Sequence, residues 1–320
     1  TLCRSSAASD VYKRQAGHSV HIIDDLSTGN KSLIPKNAFF TKCNINDEEV
    51  ISELIKSNSF DLLMHFAGFI QVEESVKYPQ KYFDNNTENA TKLFETCKNN
   101  GLNKIVFSST AAAYGSVSEN KLIDENTNLN PQNPYAESKI KTENFLFENK
   151  DDYNFIILRY FNVAGADKKL RSGQISKRST HLIKILSEVV VGKRDHIEIF
   201  GNDYNTPDGT AIRDYIHVSD LADIHLEVAK YLLEGSESNL FNCGYGNGFS
   251  VLDVINTANK ISGDKIDYKF SNRRDGDVEQ LIADTSKILK HIDWRPKYND
   301  LSEIINSSIK WEEKINESNT

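Results

Sequence analysis

The segment Lys104-Ile-Val-Phe-Ser108 begins the stretch of sequence that decides the fold. It is a short apolar run of the kind that forms a buried strand, and the residues from Tyr135 to Asn149 favour a helix. The next apolar run, from Phe155 to Phe161, favours a second strand. A strand, a helix and a strand in this order are typical of a βαβ unit, so the stretch predicts a parallel sheet with helices on its faces.

The same alternation extends along the chain on both sides of this unit. Further strands are predicted at residues 19–24, 61–66, 196–200, 213–218, 239–243 and 265–270, and further helices at 47–57 and 85–99. We therefore predict an α/β fold with a Rossmann-like doubly wound parallel sheet. The dinucleotide-binding domain is assigned to residues 16–163 and a smaller C-terminal substrate domain to 164–320, with some segments returning to the first domain.

The first 15 residues do not fit this pattern. An open sheet of this type normally begins with an apolar strand that runs into a glycine-rich loop, yet no glycine precedes Gly17. Residues 16–20 resemble instead the end of a first helix and its turn into the second strand. We therefore expect that the first strand and the glycine loop are missing and that residues 1–15 are a foreign or artefactual segment. A genuine but unusual N-terminal arm is the alternative.

The composition excludes several classes of partner. The chain has 320 residues and a net charge of -8, which argues against a broad surface for nucleic acid or an anionic membrane. No apolar run approaches the roughly 18 to 20 residues of a membrane span, and no signal peptide is recognisable. The cysteines form no C-x-x-C pair, which fits neither a disulfide scaffold nor a metal site; they are Cys3, Cys43, Cys97 and Cys243. A cytoplasmic protein without a metal is expected.

Three residues form the candidate catalytic group. Thr110 follows the strand that begins at Lys104, while Tyr135 and Lys139 lie four positions apart and so share one face of a helix. A tyrosine has a pKa of about 10, so it needs a neighbouring cation to act as a base at neutral pH. We expect Lys139 to lower the pKa of Tyr135, and Thr110 to share or relay the proton.

Several longer runs resemble those of UDP-glucose (UDP-galactose) 4-epimerases in the extended short-chain dehydrogenase family. They are His65-Phe-Ala-Gly68, Phe107-Ser-Ser-Thr-Ala-Ala-Ala-Tyr-Gly115, Asn133-Pro-Tyr-Ala-Glu-Ser-Lys139, Leu158-Arg-Tyr-Phe-Asn162, Ile199-Phe-Gly-Asn-Asp-Tyr204, Asp208-Gly-Thr-Ala-Ile-Arg-Asp-Tyr-Ile-His-Val218 and Arg273-Arg-Asp-Gly-Asp277. The similarity extends from about residue 16 to the end of the chain. It implies an NAD-dependent epimerisation at C4 of a UDP-hexose through a 4-keto intermediate, carried out by a homodimer.

The resemblance also implies which residues bind the two ligands. NAD would be held by Asp24, Asn44, Phe66, Ala67, Gly68, Asn85, Ser108, Tyr135, Lys139 and Tyr160. The UDP-sugar would be held by Thr110, Asn162, Thr180, His181, Leu182, Phe200, Arg213, Arg274 and Leu281. A carboxylate at position 24 favours NAD over NADP, because it would repel a 2'-phosphate.

Departures from the family pattern leave alternatives open. Thr180 and His181 replace paired asparagines, and Leu281 replaces a tyrosine that narrows the sugar pocket in some relatives. N-acetylated hexoses or pentoses are therefore alternative substrates. A dehydratase or a decarboxylase is disfavoured because Ala111 follows Thr110 where those enzymes carry an acid. A non-catalytic nucleotide-binding protein is the alternative from another class, and the missing glycine loop predicts weak binding of NAD or none.

Overall fold

The computed structural model describes residues 2–4, 17–116, 122–175, 179–263, 266–274 and 277–317. Its main sheet contains parallel strands in the order β10-β6-β5-β4-β1-β2-β3. The strands are β1 (Leu2–Arg4), β2 (His21–Ile23), β3 (Phe39–Thr41), β4 (Leu63–His65), β5 (Lys104–Thr110), β6 (Asn154–Tyr160) and β10 (Asn239–Cys243). This order confirms the predicted Rossmann-like sheet.

The structure corrects the expectation that the first strand is missing. Leu2–Arg4 pairs in parallel with β2 on one side and with β4 on the other, which is the place of a first strand. Ladder hydrogen bonds join backbone groups, so a short segment can fill this gap whatever its side chains are. The glycine loop would follow in residues 5–16, which lie outside the described residues, and its absence stays a prediction from the sequence.

Helices cover both faces of the main sheet. On one face Ile105 and Phe107 of β5 pack in a cluster with residues of α1 and α4, and on the other Val106 packs with residues of α7. A strand buried on both faces has no alternation of polar residues, which is why these strands read as continuous apolar runs. The helices are α1 (Glu48–Ser57), α2 (Val72–Lys77), α3 (Pro79–Tyr82), α4 (Asn89–Asn99), α5 (Pro134–Glu148), α6 (Leu182–Val190), α7 (Val218–Leu233), α8 (Val251–Ser262), α9 (Ser286–His291) and α10 (Leu301–Glu317). Within the described ranges, none of these helices combines the length and the apolar character that crossing a membrane requires.

The second half of the chain forms smaller sheets beside the main one. Strand β9 (Ile212–His217) pairs with β7 (Asn162–Ala164), β11 (Gly248–Ser250) and β13 (Gln280–Leu281). Strand β8 (Ile197–Phe200) pairs in parallel with β12 (Tyr268–Ser271). The strands predicted in this half are therefore found, and the third of them, β10, extends the main sheet next to β6.

Candidate active site

The hydroxyl groups of Thr110 and Tyr135 meet at the carboxyl end of the main sheet. Strand β5 ends at Thr110, and helix α5 begins at Pro134 after the cap residue Asn133, whose side chain accepts a hydrogen bond from the backbone of Ala136 at 2.9 Å. A proline in the first turn and an asparagine cap favour a helix start at this point. Tyr135 therefore lies in the first turn of α5, where its hydroxyl is hydrogen-bonded to that of Thr110.

Lys139 lies one turn further along α5 and is buried against β5. Its ammonium group donates to the backbone oxygen of Ser108 at 2.9 Å and lies 4.9 Å from the centre of the Phe107 ring. A β-carbon built at Gly68 would come within 3.3 Å of the ammonium nitrogen, so this position leaves no room for a side chain. The lysine thus lies at the carboxyl ends of β4 and β5, where parallel sheets bind ligands.

The surroundings of Tyr135 oppose its ionisation. Burial raises the pKa of Tyr135 above its ordinary value of 10, while the hydrogen bond with Thr110 opposes that increase. The expectation that Lys139 brings this pKa near neutrality is therefore wrong, because burial of the phenol outweighs the contacts that stabilise the phenolate. The phenol therefore needs a further stabilising contact, such as a positive charge, before it can act as a base near neutral pH.

A cavity of about 500 Å³ opens above the two hydroxyl groups. It brings together most of the predicted substrate residues, from both halves of the chain. Its lining includes Thr110, Tyr135, Tyr160, Asn162, Thr180, His181, Arg213, Arg274 and Leu281. Leu182 lies beside it on a smaller cavity that also touches Asn162 and His181, and Phe200 lies beneath Arg274.

Two arginines supply positive charge to this cavity in an otherwise acidic protein. Arg213 pairs with Asp277 at 3.3 Å, and Arg274 stacks on the ring of Phe200 at 3.7 Å and lies 3.8 Å from Glu73. The Nε of Arg274 is buried and has no hydrogen-bond partner among the described residues. A buried donor without an acceptor is costly, so the site is suited to an anionic ligand that provides one.

A second cavity of about 890 Å³ adjoins the first along the sheet edge and shares Thr180 and His181 with it. It is lined by residues that follow β2, including Gly29, and by residues that follow β4, including Gly68. Asp24 lies directly after β2, and a β-carbon at Gly29 would lie 2.8 Å from its carboxylate oxygen. The cavity therefore offers a groove with a carboxylate near one end and Gly68 beside Lys139 near the other.

The remaining residues predicted to bind NAD lie around this groove without lining it. Ser108 donates to the backbone of His65 at 2.8 Å, and Asn85 donates to Asn86 at 3.0 Å. Asn44 donates to Asp25, the neighbour of Asp24, at 3.1 Å. Ala67 is buried, and Phe66 packs against the core with Tyr160.

Four buried polar residues that the sequence analysis did not select support the site. Asn86 holds the backbone of Phe69 next to Gly68, through hydrogen bonds of 2.8 and 3.0 Å. His225 is hydrogen-bonded to the hydroxyl of Tyr160 at 2.7 Å. Glu143 and Arg159 form an ion pair behind Thr110. A lone arginine inside the apolar run of β6 was the available signal, since a buried charge requires a partner.

Comparison with known proteins agrees with this geometry. A model of the family described as NAD dependent epimerase/dehydratase matches residues 7–244, well over half of the chain. The chain belongs to the NAD dependent epimerase/dehydratase family. The members of this family that are most similar in sequence include a UDP-glucose 4-epimerase of Azospirillum brasilense. It is 43% identical over 305 residues, which cover 95% of this chain and 87% of that protein.

Solved structures of other epimerases superpose on this family member over almost its whole length. The UDP-glucose 4-epimerase of Bifidobacterium longum, in complex with NAD+ and UDP, has a TM-score of 0.92 and 31% identity, and the match covers 98% of this chain and 97% of that one. The UDP-Glc/GlcNAc 4-epimerase of Campylobacter jejuni has a TM-score of 0.83 and 41% identity, with 98% and 99% covered.

Proposed function

We propose that this protein is an NAD-dependent UDP-hexose 4-epimerase that interconverts UDP-glucose and UDP-galactose. One observation carries the proposal: the hydrogen-bonded hydroxyls of Thr110 and Tyr135 face the same cavity as Arg213 and Arg274. A proton-transfer group and two diphosphate anchors in one cavity are what the reaction of a UDP-sugar requires. The epimerases that match over 87–99% of both chains support the same reaction.

Each residue of the cavity has a distinct part in this reaction. The forks of Arg213 and Arg274 bind the two phosphates and keep UDP in place while the sugar turns. Tyr135 takes the proton of the sugar 4-hydroxyl as a 4-keto sugar forms, and returns a proton when the alcohol is restored. Thr110 orients the hydroxyl of Tyr135 through the hydrogen bond between the two side chains. The sugar must present both faces of its C4 atom in turn, so the cavity has to remain wider than the hexose.

The cofactor groove fits NAD at the adenosine ribose and at the nicotinamide ribose, while the part for the diphosphate differs. Asp24 is placed to accept hydrogen bonds from the adenosine ribose, and Gly68 leaves space beside Lys139 for the nicotinamide ribose. Bound NAD would supply the chemistry of hydride removal and return at C4. The part that normally cradles the diphosphate falls in residues 5–16, which contain no glycine. We therefore propose that the chain binds NAD more weakly than a protein with a glycine loop.

Leu281 sets the size of the sugar site. It packs with Ala111 and Phe161 in one buried cluster and pairs with Arg213 across two neighbouring strands. A leucine has no hydroxyl and is shorter than a tyrosine, so it leaves room for an N-acetyl group. UDP-N-acetylhexosamines are therefore the second candidate substrates, and the similarity to an epimerase named for both Glc and GlcNAc favours them.

The dehydratase and decarboxylase alternatives receive no support from the cavity. Ala111 and Ala112 line it next to Thr110, where an eliminating enzyme needs an acid. The carboxylates of Glu73 and Asp277 also line it, but each lies within 4 Å of an arginine. Neither is adjacent to Thr110 in the strand, and both are balanced by the groups that bind the diphosphate.

A side-by-side assay tests the proposed function. UDP-galactose and UDP-N-acetylgalactosamine are each incubated with the protein and added NAD, and the 4-epimers are separated by chromatography. We expect turnover of UDP-galactose, with turnover of the N-acetylated sugar within about tenfold of it, because Leu281 leaves room for the N-acetyl group and the discrimination then lies at the low end of the roughly 1–3 kcal/mol of one pocket contact. Inertness towards both sugars, with NAD bound, would refute the assignment.

The assembly and location of the protein are also proposed. The buried, free thiols of Cys97 and Cys243 suit a reducing compartment such as the cytoplasm. Relatives pair two helices per subunit across a twofold axis, which correspond here to α4 and α5. Phe147 of α5 is 45% exposed and would be covered in such a homodimer. Light scattering of the eluting protein distinguishes a dimer from a monomer.

A further inference from the structure

A buried polar network lies directly behind the catalytic hydroxyls. Glu143 of α5 and Arg159 of β6 form a two-pronged ion pair, with Nε to Oε1 at 3.0 Å and Nη2 to Oε2 at 2.5 Å. The hydroxyl of Ser109 donates to the same Oε1. Both charged residues are at most 4% exposed. The remaining amino group of Arg159 donates to the hydroxyl of Tyr114 at 2.9 Å.

The network lies at the register pair of β5 and β6 that precedes the pair containing Thr110. Ser109 and Arg159 are register partners in β5 and β6, and the next pair along these strands is Thr110 and Tyr160. Asn242 of β10 is the register partner of Arg159 and accepts a hydrogen bond from Tyr114 at 2.7 Å. Thr110 and Tyr160 therefore directly follow, in their strands, two residues that the network holds in place.

Glu143 extends the same network to the catalytic helix. It lies one turn beyond Lys139 and two turns beyond Tyr135, so the three side chains share one face of α5. The Ser109–Glu143 contact thus joins the strand that ends in Thr110 to the helix whose first turn contains Tyr135. The distance between the two hydroxyls depends on this connection and on the hydrogen bond from Lys139 to the backbone oxygen of Ser108, because the segment that links the strand to the helix, residues 111–133, is long.

A buried ion pair is a poor means of stabilising a fold. Desolvation of the two charges offsets their attraction, and replacing such a pair with apolar residues of similar size is often neutral or stabilising. Removing one partner alone leaves an uncompensated charge and is strongly destabilising. A contribution to the stability of the fold therefore does not explain why this register pair carries a charged network.

We propose that Ser109, Glu143 and Arg159 are positioning residues that fix α5 against β5, so that Tyr135 stays within hydrogen-bonding distance of Thr110. The inference rests on the proposed function, since it assigns the network to the proton transfer of that reaction. It places two determinants of turnover, Glu143 and Arg159, outside the lining of the cavity, while Ser109 lines the cavity next to Thr110 and joins them to it.

Two variants separate positioning from stability. Ser109→Ala keeps the ion pair and removes only the hydroxyl that joins it to β5. The double variant Glu143→Leu with Arg159→Met removes both charges together, which avoids an unpaired buried charge. Ser187→Ala is the matched control, because this serine is also fully buried but donates to a backbone oxygen within α6.

Kinetics and UDP binding are measured on each variant with added NAD. We expect kcat to fall about tenfold in Ser109→Ala and about a hundredfold in the double variant, since a displacement near 1 Å can cost that much. Affinity for UDP is expected to stay within twofold, because the arginines of the cavity are untouched. The acidic limb of kcat/KM, on which the rate rises as the base loses its proton, is expected to move to higher pH, since losing the Thr110 hydrogen bond raises the pKa of Tyr135. Ser187→Ala should match the unsubstituted protein.

The outcomes distinguish this inference from the proposed function. If the unsubstituted protein does not epimerise UDP-sugars, the proposed function fails. The positioning role is then tested by absorbance titration of the Tyr135 phenol, taken as the difference from Tyr135→Phe. An unchanged titration in Ser109→Ala would overturn the inference, as would a kcat within twofold of the unsubstituted protein. If the double variant does not fold, Ser109→Ala decides alone.

Discussion

The carboxyl ends of β5 and β6 differ sharply from the opposite edge of the same sheet. Strands β5 and β6 have seven residues each, and helices bury them on both faces. Strands β1, β2 and β3 have three residues each, and Phe39 on the outermost of them is 63% exposed. Strand β5 carries the hydroxyl of Thr110, next to that of Tyr135 in α5, while the short strands carry the edge at which adenosine would bind.

Substitutions should therefore have different effects in the two regions. Near β5 and β6 a change is transmitted to the reacting groups through buried contacts such as those of Arg159. Near β1 to β3 the strands are short and the outermost one is partly exposed, so a change there alters the affinity for NAD and leaves the proton-transfer group intact. Substitutions in the first region should therefore lower kcat, and changes in the second should alter the dissociation constant of NAD.

The largest effect is expected from removing the phenol of Tyr135. Tyr135→Phe should lower kcat by about a thousandfold, within the range for loss of a general acid–base group. Affinity for UDP, measured by calorimetry, should not change. Tyr153→Phe is a matched control, because Tyr153 is a buried phenol that packs on the same sheet away from the cavity. An equal loss in both variants would mean that the defect is structural.

A smaller effect is expected from repairing the other end of the sheet. Replacing residues 1–15 with an apolar strand and a G-x-G-x-x-G loop should strengthen NAD binding at least about tenfold, because a helix N-terminus and its amides favour a phosphate by up to about 2 kcal/mol. Quenching of protein fluorescence by NAD measures the change. Tight, saturable binding of NAD by the chain with its present N-terminus would contradict the expected difference between the two ends of the sheet.

Narrowing the sugar site should alter specificity more than turnover. Leu281→Tyr should lower kcat/KM for UDP-N-acetylgalactosamine by about tenfold, through collision of the added ring with the N-acetyl group. The value for UDP-galactose should stay within about twofold, since the wall moves without touching Thr110 or Tyr135. Leu281→Ile, which keeps the volume, is the control. A parallel loss with both sugars would show that the residue acts on the catalytic end instead.

The smallest effect is a shift in the pH profile. The hydrogen bond with Thr110 lowers the pKa of Tyr135 while burial raises it, so Thr110→Val should raise this pKa further. The rate requires the phenolate form to accept the proton, hence the acidic limb of kcat/KM for the free protein should move to higher pH. Thr110→Ser, which keeps the hydroxyl, should leave the limb in place. A shift to lower pH in Thr110→Val would contradict the arrangement.

The sequence predicted the catalytic end of the sheet better than any other region. The long apolar runs of β5 and β6 left only one interpretation, and the spacing of Tyr135 and Lys139 placed both on one helix face. Helix α7 was not predicted, because it starts at Val218 directly after β9 ends at His217, with no glycine or proline to mark the change. Periodicity alone gives no boundary in such a segment.

Contacts between distant residues were beyond the reach of the sequence. Glu143 and Arg159 each fit their own element, and nothing in their spacing indicates that they form an ion pair. The raised pKa of Tyr135 was missed for a related reason, since desolvation depends on the whole surrounding structure. Strand β1 was missed because its pairing depends on backbone groups and on a gap between β2 and β4.

Epimerisation of UDP-glucose that carries deuterium at C4 tests the central claim most directly. The protein is incubated with added NAD, and the UDP-galactose formed is analysed by mass spectrometry. If Tyr135 moves only the hydroxyl proton and the hydride returns to the carbon it left, the product should retain the deuterium at C4. Formation of UDP-galactose with the label lost to water, or no UDP-galactose from a protein shown to bind NAD and UDP, would contradict the account.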